Sequence, residues 1–282
     1  MTGRWARFLL ALGEALGSGA WALGLRRRVA LDGLRRAFPE RTEEERRATA
    51  RAAYRQLGRS LAEVLLARRV RDADLEDLVR FENWDVYEAA RARGRGVVVA
   101  VAHFGNWEVL ARACARRGVP LTAITRALRG RLNQQLVAAR REGGLRELPD
   151  KGSTGAALRL LRRGETLAVV VDQNMRPSRG IFVDFFGEPA CTTPAAAVLA
   201  LRSGAPLLAA FPVRGADGTH RVRVEGPFSP PAGARGRSAV LALTQEVTRA
   251  VERAVREHPD HWFWVHRRWK TRPEGALPPP AR

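Results

Sequence analysis

A run of seven apolar residues, 96–102, places the strongest constraint on the fold of this chain. It consists of small and β-branched residues without polar alternation, a pattern typical of a strand buried on both faces of a sheet. Gly105 and Asn106 break the run, and a helical pattern begins at Trp107. This order predicts an open α/β sheet, in which ligand sites lie at the carboxyl ends of the strands.

His103 follows this strand, and Glu108 falls in the first turn of the next helix, for which Asn106 is the predicted N-cap. The tight turn between them lets the Glu108 carboxylate fold back onto one ring nitrogen of His103. The other nitrogen would then be free to accept a proton from a hydroxyl. The pair is therefore a candidate general base with an orienting acid. The alternative is a hydrogen-bonded structural histidine.

Further strand and helix patterns follow. Residues 119–125 and 166–171 read as strands, with Arg126 after the first and Asp172 and Gln173 after the second. Strands connected through helices predict a parallel sheet, so these side chains are expected at the same edge as His103. A hairpin of residues 206–213 and 220–224, the latter alternating as at a sheet edge, precedes a final helix over 238–257.

The first 25 residues combine a short apolar segment with three arginines directly after it, Arg26 to Arg28. Glycines and Glu14 interrupt the segment, which lacks the roughly 20 apolar residues of a spanning helix. The order of apolar and basic residues also differs from that of a cleaved signal peptide. Two interpretations remain: an amphipathic helix at the membrane interface, or an ordinary packed first helix.

Composition limits the partners. The chain has 49 lysines and arginines against 29 acidic residues, a formal charge of +20, which predicts an anionic partner such as phospholipid, nucleic acid or an acidic protein. The two cysteines, Cys114 and Cys191, lie in apolar segments, so neither a disulfide nor a thiolate metal site is predicted. His258 and His261 lack the spacing of a zinc site.

Several segments resemble the late lipid A acyltransferases and the mycobacterial phosphatidylinositol mannoside acyltransferases, within the lysophospholipid-type acyltransferases that carry His-x4-Asp/Glu. The most specific are His-Phe-Gly-Asn-Trp-Glu at 103–108 and Trp-Phe-Trp-Val-His-Arg-Arg-Trp-Lys at 262–270. The resemblance covers residues 26–272 in order. It implies one α/β domain, glycerolipid acyltransferase-like, with a mostly parallel mixed sheet flanked by helices and preceded by N-terminal helices. A membrane-interface helix would occupy 1–25 and a disordered tail 273–282.

The resemblance also implies an activity: transfer of a fatty acyl chain from acyl carrier protein or coenzyme A to a hydroxyl of a glycolipid or lipid A-like acceptor. The thioester would be a co-substrate, with no cofactor, no metal and no nucleic acid required. The implied location is the cytoplasmic face of the membrane, bound peripherally or monotopically.

The family pattern makes His103 the base and Glu108 its partner. It assigns anion binding to Arg140 first and Arg141 second, although both could simply complement the helix dipole. The remaining candidate substrate-binding residues are Asn106, Arg126, Asp172 and Gln173. Asp172 would be a supporting acid of the site or a contact of the acceptor hydroxyl, and pairing to an arginine is an equally good interpretation.

The sequence contains neither a Gly-x-Ser-x-Gly elbow nor a cysteine beside His103. Direct attack by the acceptor is therefore favoured over an acyl-enzyme. Backbone amides near Gly105 or an arginine would stabilise the oxyanion. The rival functions are a thioester hydrolase and a non-catalytic basic protein that binds nucleic acid or membrane.

Overall fold

A seven-stranded sheet forms the centre of the molecule. The computed structural model describes residues 4–67, 78–125 and 131–275. Across the sheet the strands are β1 (Val79–Glu82), β9 (His220–Phe228), β8 (Leu207–Arg214), β2 (Val97–Val101), β5 (Thr166–Val170), β3 (Leu121–Thr125) and β4 (Arg146–Pro149). Every neighbouring pair is parallel except β8 with β9. The predicted α/β fold with a mostly parallel mixed sheet is confirmed.

Helices cover both faces of this sheet, and a separate hairpin of β6 (Ile181–Phe185) and β7 (Glu188–Thr192) lies beside it. The helices are α1 (Arg4–Ala22), α2 (Arg27–Ala37), α3 (Glu43–Ala67), α4 (Trp84–Ala92), α5 (Trp107–Arg116), α6 (Arg131–Glu142), α7 (Thr154–Arg162), α8 (Ala195–Ser203) and α9 (Gly236–Glu257). The predicted N-terminal helices precede the sheet.

Alternate residues of β2 face two different apolar layers. Val98 and Ala100 are buried in the larger core with α2, α7, α8 and α9. Val99 and Val101 face the opposite layer, which α4 and α5 complete. A strand that contacts helices on both sides has no solvated face, and this explains why residues 96–102 lack polar alternation.

The topology adds one feature to the sequence prediction and corrects another. Helix α5 connects β2 to β3 as predicted, and β5 lies between these two strands and pairs with both. Strand β9 forms the predicted hairpin with β8, but β1 pairs with its other side, so β9 is not an edge strand. Its alternating burial reflects one covered and one more exposed face of the sheet.

Helix α1 lies unusually close to α3 because glycines occupy the contact. A Cβ atom at Gly17 would lie 2.1 Å from the carbonyl oxygen of Tyr54, and one at Gly58 would lie 2.0 Å from that of Gly13. These distances leave no room for any side chain. The packed-helix interpretation of the N-terminal segment therefore holds for this face of α1.

We expect Gly17→Ala to destabilise the protein by about 1–3 kcal/mol, because the added methyl group forces two helix backbones apart. Gly19→Ala is the matched control: it lies in the same helix with no atom within 4 Å of a built Cβ. Alanine there should stabilise the helix by roughly 0.5–1 kcal/mol. Thermal unfolding of both variants checks the prediction, and equal melting temperatures would contradict it.

Candidate active site

His103 and Asp172 meet because of the register of two adjacent strands. Val101 of β2 pairs with Val170 of β5, so the residues two positions beyond each lie side by side at the carboxyl edge. The Nδ1 atom of His103 lies 2.8 Å from Oδ1 of Asp172. The backbone N–H of His103 donates to Oδ2 of the same carboxylate at 2.9 Å.

The Asp172 carboxylate is buried, with 3% of its side chain exposed. The indole N–H of Trp262 also donates to its Oδ2 atom at 2.9 Å. Burial alone would raise the pKa of Asp172, but the charge of His103 and the donated hydrogen bonds outweigh it and hold the pKa below its ordinary value. An ionised carboxylate only accepts hydrogen bonds, so Nδ1 of His103 carries the proton.

The imidazole of His103 is consequently more basic than usual. Burial lowers its pKa, whereas the charge and hydrogen bond of Asp172 raise it and prevail; Arg140 lowers it and Glu108 raises it to a lesser degree. Because Nδ1 donates to Asp172, the lone pair of the neutral ring resides on Nε2. A fixed tautomer with a basic Nε2 suits proton abstraction.

Glu108 does not hold the His103 ring, and this part of the sequence prediction was wrong. Its carboxylate binds the guanidinium of Arg140, with Nε 3.0 and 2.9 Å from its two oxygens and Nη2 2.5 Å from Oε1. The indole of Trp107 donates to the same carboxylate at 3.0 Å. Asp172 occupies the position beside the His103 ring that was predicted for Glu108. It does so because β5 lies directly beside β2, which sequence spacing does not reveal.

The predicted arginines differ in their surroundings. The Arg140 guanidinium is bound by two carboxylates, since it also donates to Glu147 at 3.2 Å. Arg141 is exposed at the carboxyl end of α6. Arg126 lies outside the described residues. Arg140 therefore links α6 to the start of α5 through Glu108.

Asn106 caps α5 as predicted and is itself anchored. Its Oδ1 accepts the N–H groups of residues 108–109 at 3.2 and 3.3 Å, and its amide donates to Glu63 at 2.5 Å. Glu63 is 2% exposed and pairs with Arg214. Burial raises the pKa of Glu63, but hydrogen bonds and charges of His220 and Arg214 outweigh it and lower the pKa to about 2. This ion cluster fixes the turn after His103.

A C-terminal segment, residues 258–271, lies against the turn that follows His103, and we call it the strap. The N–H of Gly105 donates to the carbonyl of His261 at 2.8 Å, and the N–H of Phe263 donates to the carbonyl of His103 at 3.0 Å. These two bonds form a short β-bridge beside the catalytic turn. The strap thus holds the backbone of the candidate base as well as its carboxylate partner.

The loop after β5 carries Gln173 and is held by the same strap. The Nε2 atom of Gln173 lies 3.3 Å from Nε2 of His103. The N–H of Asn174 donates to Nε2 of His266 at 2.9 Å, and Thr271 exchanges hydrogen bonds with the Asn174 side chain at 2.9 and 3.0 Å. Burial lowers the pKa of His266 to about 4, so the neutral ring is an acceptor.

Apolar side chains surround the imidazole. The ring centroids of Trp107 and Phe263 lie 5.1 and 5.8 Å from that of His103. A cavity continues from this point between α3 and the strap, and its apolar lining includes Ala53, Leu57, Trp107, Trp262, Phe263, Trp264 and Val265. The site is suited to an apolar group beside the base.

Sequence reasoning missed the contributions of Trp262, His266 and Glu63. The first two lie in the aromatic segment 262–270, whose family resemblance and density of tryptophan and histidine were signals of a defined role. Glu63 had no such signal, since it stands in a helix rich in charged residues.

Comparison with known proteins identifies the family of this chain. The range that matches includes His103 and the buried Asp172, which meet at the carboxyl edge of the mostly parallel sheet. The chain belongs to the bacterial lipid A biosynthesis acyltransferase family, whose model matches residues 6–271. The predicted family membership is confirmed, and with it the class of enzyme, an acyltransferase.

The relatives are similar across most of their length. The chain is 27% identical over 269 residues to the lipid A biosynthesis lauroyltransferase of Escherichia coli K12, covering 93% of this chain and 86% of that protein. It is 26% identical to the palmitoleoyltransferase of the same strain, with 95% and 86% covered. It is 28% identical to the phosphatidylinositol mannoside acyltransferase of Mycobacterium tuberculosis H37Rv, with 66% and 58% covered.

We expect the His103 imidazole to titrate above 6.5, because the carboxylate of Asp172 stabilises its charged form. Asp172→Asn removes that charge and should move the midpoint below that of the parent protein. Glu108→Gln leaves the Nδ1 contact intact and should produce a smaller downward shift. NMR titration of the ring nitrogens, with the His103 signal identified from His103→Gln, measures all three midpoints.

The same pair makes stability depend on pH. The raised pKa of His103 adds stability that is present below its ordinary value and lost as the pH rises through the folded one. The lowered pKa of Asp172 adds stability that is present above its ordinary value and lost as the pH falls through the folded one. The loss of stability in Asp172→Asn should thus be greatest between about pH 4 and 6.5. A uniform difference across pH would contradict the pairing.

Proposed function

We propose that this protein transfers a fatty acyl chain from a thioester to a hydroxyl of a membrane glycolipid, with His103 as the general base. The observation that carries the proposal is the contact of its Nδ1 atom with the buried carboxylate of Asp172. This contact leaves Nε2 as the acceptor for the hydroxyl proton. The names of the relatives, which include lipid A acyltransferases and a phosphatidylinositol mannoside acyltransferase, support a glycolipid acceptor.

The geometry supports direct transfer. The acceptor hydroxyl gives its proton to Nε2 of His103 as its oxygen attacks the thioester carbon, and Asp172 stabilises the imidazolium that forms. When the carbon–sulfur bond breaks, the imidazolium returns the proton to the leaving thiolate. Burial raises the pKa of Cys114 to about 12 and also raises that of Cys191, so both thiols remain protonated and are poor nucleophiles.

In this proposal Glu108 serves the base indirectly. Its carboxylate binds Arg140 and thereby fixes the first turn of α5 against α6, while its charge favours the imidazolium. Two acids therefore share the role that the sequence analysis gave to Glu108. Asp172 contacts the ring, and Glu108 contributes its charge and its bond to Arg140.

The donor is an acyl thioester of acyl carrier protein or coenzyme A. The apolar side chains beside the imidazole would contact the start of the acyl chain of such a donor, and the formal charge of +20 suits the anionic surface of the carrier protein or the phosphates of the coenzyme. Both carriers present the acyl chain on the same pantetheine arm, so either is compatible with the site.

Membrane binding is proposed for the outer face of α1. Within the described ranges, no single helix is long and apolar enough to cross a membrane. The helical segments Phe8–Ala22 and Arg27–Ala37 together have the required length and composition, but the pair is bent by 89°. Leu12 and Leu16 of α1 are 44 and 61% exposed, in contrast to the closely packed glycines of the same helix. Exposed arginines at 26–28 suit anionic headgroups. The helix would lie at the cytoplasmic surface, where acyl thioesters are available.

The acceptor can be identified by comparing the polar lipids of a parent strain with those of a strain that lacks this protein. A lipid one acyl chain short should accumulate in the deletion strain. Vesicles of that lipid extract, incubated with purified protein and dodecanoyl pantetheine, should then yield the acylated lipid. Release of free fatty acid with no lipid product would favour a thioester hydrolase instead.

His103→Ala should reduce this transfer by about 10²- to 10⁴-fold, the usual contribution of a positioned base. The parent protein incubated with dodecanoyl pantetheine alone should keep its intact mass, because no acyl-enzyme forms. Circular dichroism and the melting temperature serve as controls for folding of the variant. A stoichiometric adduct of one acyl group would refute direct transfer.

Leu12→Glu/Leu16→Glu should weaken binding to vesicles of anionic phospholipid by roughly tenfold or more, because two apolar side chains leave the interface. Leu241→Glu is the matched control, since Leu241 is 45% exposed on α9. Sedimentation with vesicles measures both. Parental binding of the double variant would exclude this face of α1.

A further inference from the structure

The hydrogen bond between Gln173 and His103 has a defined direction. Their two Nε2 atoms lie 3.3 Å apart. Nδ1 of the ring donates its proton to Asp172, so Nε2 of the neutral ring has a lone pair and can only accept. The Gln173 amide group must therefore present an N–H to this nitrogen, and its donor end points at the atom that receives the hydroxyl proton.

The reaction requires a hydrogen-bond donor for the thioester oxygen, which becomes negatively charged when the acceptor attacks. Three of the backbone amides near Gly105 and the start of α5 already donate elsewhere. Gly105 donates to the carbonyl of His261, and the N–H groups of residues 108–109 donate to Asn106. The guanidinium of Arg140 is bound to Glu108 and Glu147. These groups do not supply a free donor at the base.

We propose that the side-chain amide of Gln173 is the donor that stabilises this oxyanion. The inference rests on the function proposed above. In the resting site the amide contacts the lone pair of His103, and the acceptor hydroxyl replaces it there. The attacked carbon is bonded to both the acceptor oxygen and the carbonyl oxygen, so the latter lies within the reach of an amide that starts beside Nε2.

The acceptor O–H bond breaks, its proton moves to Nε2 of His103, and the new carbon–oxygen bond places the electron pair of the carbonyl on oxygen. The N–H of Gln173 donates to that oxygen. Return of the electron pair re-forms the carbonyl and breaks the carbon–sulfur bond, and the thiolate takes the proton from Nε2. The products are an ester and a thiol.

The loop that carries Gln173 is held rigidly, as such a donor requires. The next residue, Asn174, is bound through its backbone N–H to His266 and through its side chain to Thr271. The preceding residue, Asp172, is bound to His103 and Trp262. Fixed residues on both sides of Gln173 keep its amide beside the base, and little reorganisation accompanies the development of charge.

The test compares Gln173→Met, which keeps the length of the side chain without a donor, with Gln173→Asn, which keeps the amide at shorter reach. Turnover of dodecanoyl pantetheine with vesicles of the deletion-strain lipid extract is measured from acidic pH to the plateau above the His103 midpoint. We expect Gln173→Met to lower kcat by about 10²- to 10³-fold at the plateau, with little change in KM. Gln173→Asn should recover part of the rate.

The value of kcat at the high-pH plateau distinguishes an oxyanion donor from a residue that only supports His103. If Gln173 only adjusted the basicity of His103, the variants would move the midpoint of the pH profile and reach the parental kcat at high pH. S-Dodecyl pantetheine, a thioether without the carbonyl oxygen, should bind the parent and Gln173→Met with the same Kd, which also shows that the site is intact. Weaker binding of this thioether to the variant would assign Gln173 to substrate binding instead.

The outcomes distinguish this inference from the proposed function. Inactive His103→Ala together with a parental plateau in Gln173→Met would overturn the oxyanion role alone. Parental turnover in folded His103→Ala would overturn the general base and this inference with it.

Discussion

The site depends on one buried carboxylate. Only 3% of the Asp172 side chain is exposed, so its charge is tolerated because three hydrogen-bond donors replace the lost hydration. One donor is the ring of His103, one is the backbone of the same residue and one is Trp262. The hydrogen bond from the His103 ring both stabilises the buried charge and fixes the tautomer of the imidazole.

The rest of the architecture maintains these contacts. The C-terminal strap carries Trp262 to Asp172, and the strap is held in turn by Arg268, which is 1% exposed, donates to the carbonyl of Cys191 at 3.0 Å and lies 5.3 Å from the ring of Phe185. Burial lowers the pKa of this arginine to about 10. Buried polar groups of this kind are costly to leave unpaired, and they favour one arrangement of the strap over looser alternatives.

A second buried charge, Glu63, acts on the other side of the base. Its pair with Arg214 joins α3 to the end of β8, and its hydrogen bond to Asn106 reaches the turn between β2 and α5. The N-terminal helices thus have two functions in the proposed enzyme. One face of α3 supports the turn after His103, while α1 packs on α3 through glycines and exposes leucines that we propose contact the membrane.

Local sequence determined the elements and the position of the base. The apolar run at 96–102 requires burial on both faces, and Asn106 caps the helix that follows, because both depend on neighbouring residues alone. The partner of His103 was decided by the tertiary structure. Glu108 is five positions away, yet strand pairing brings Asp172, 69 positions away, to the ring. Which strands lie side by side is decided by packing of the whole sheet, and the spacing of residues along the chain does not reveal it.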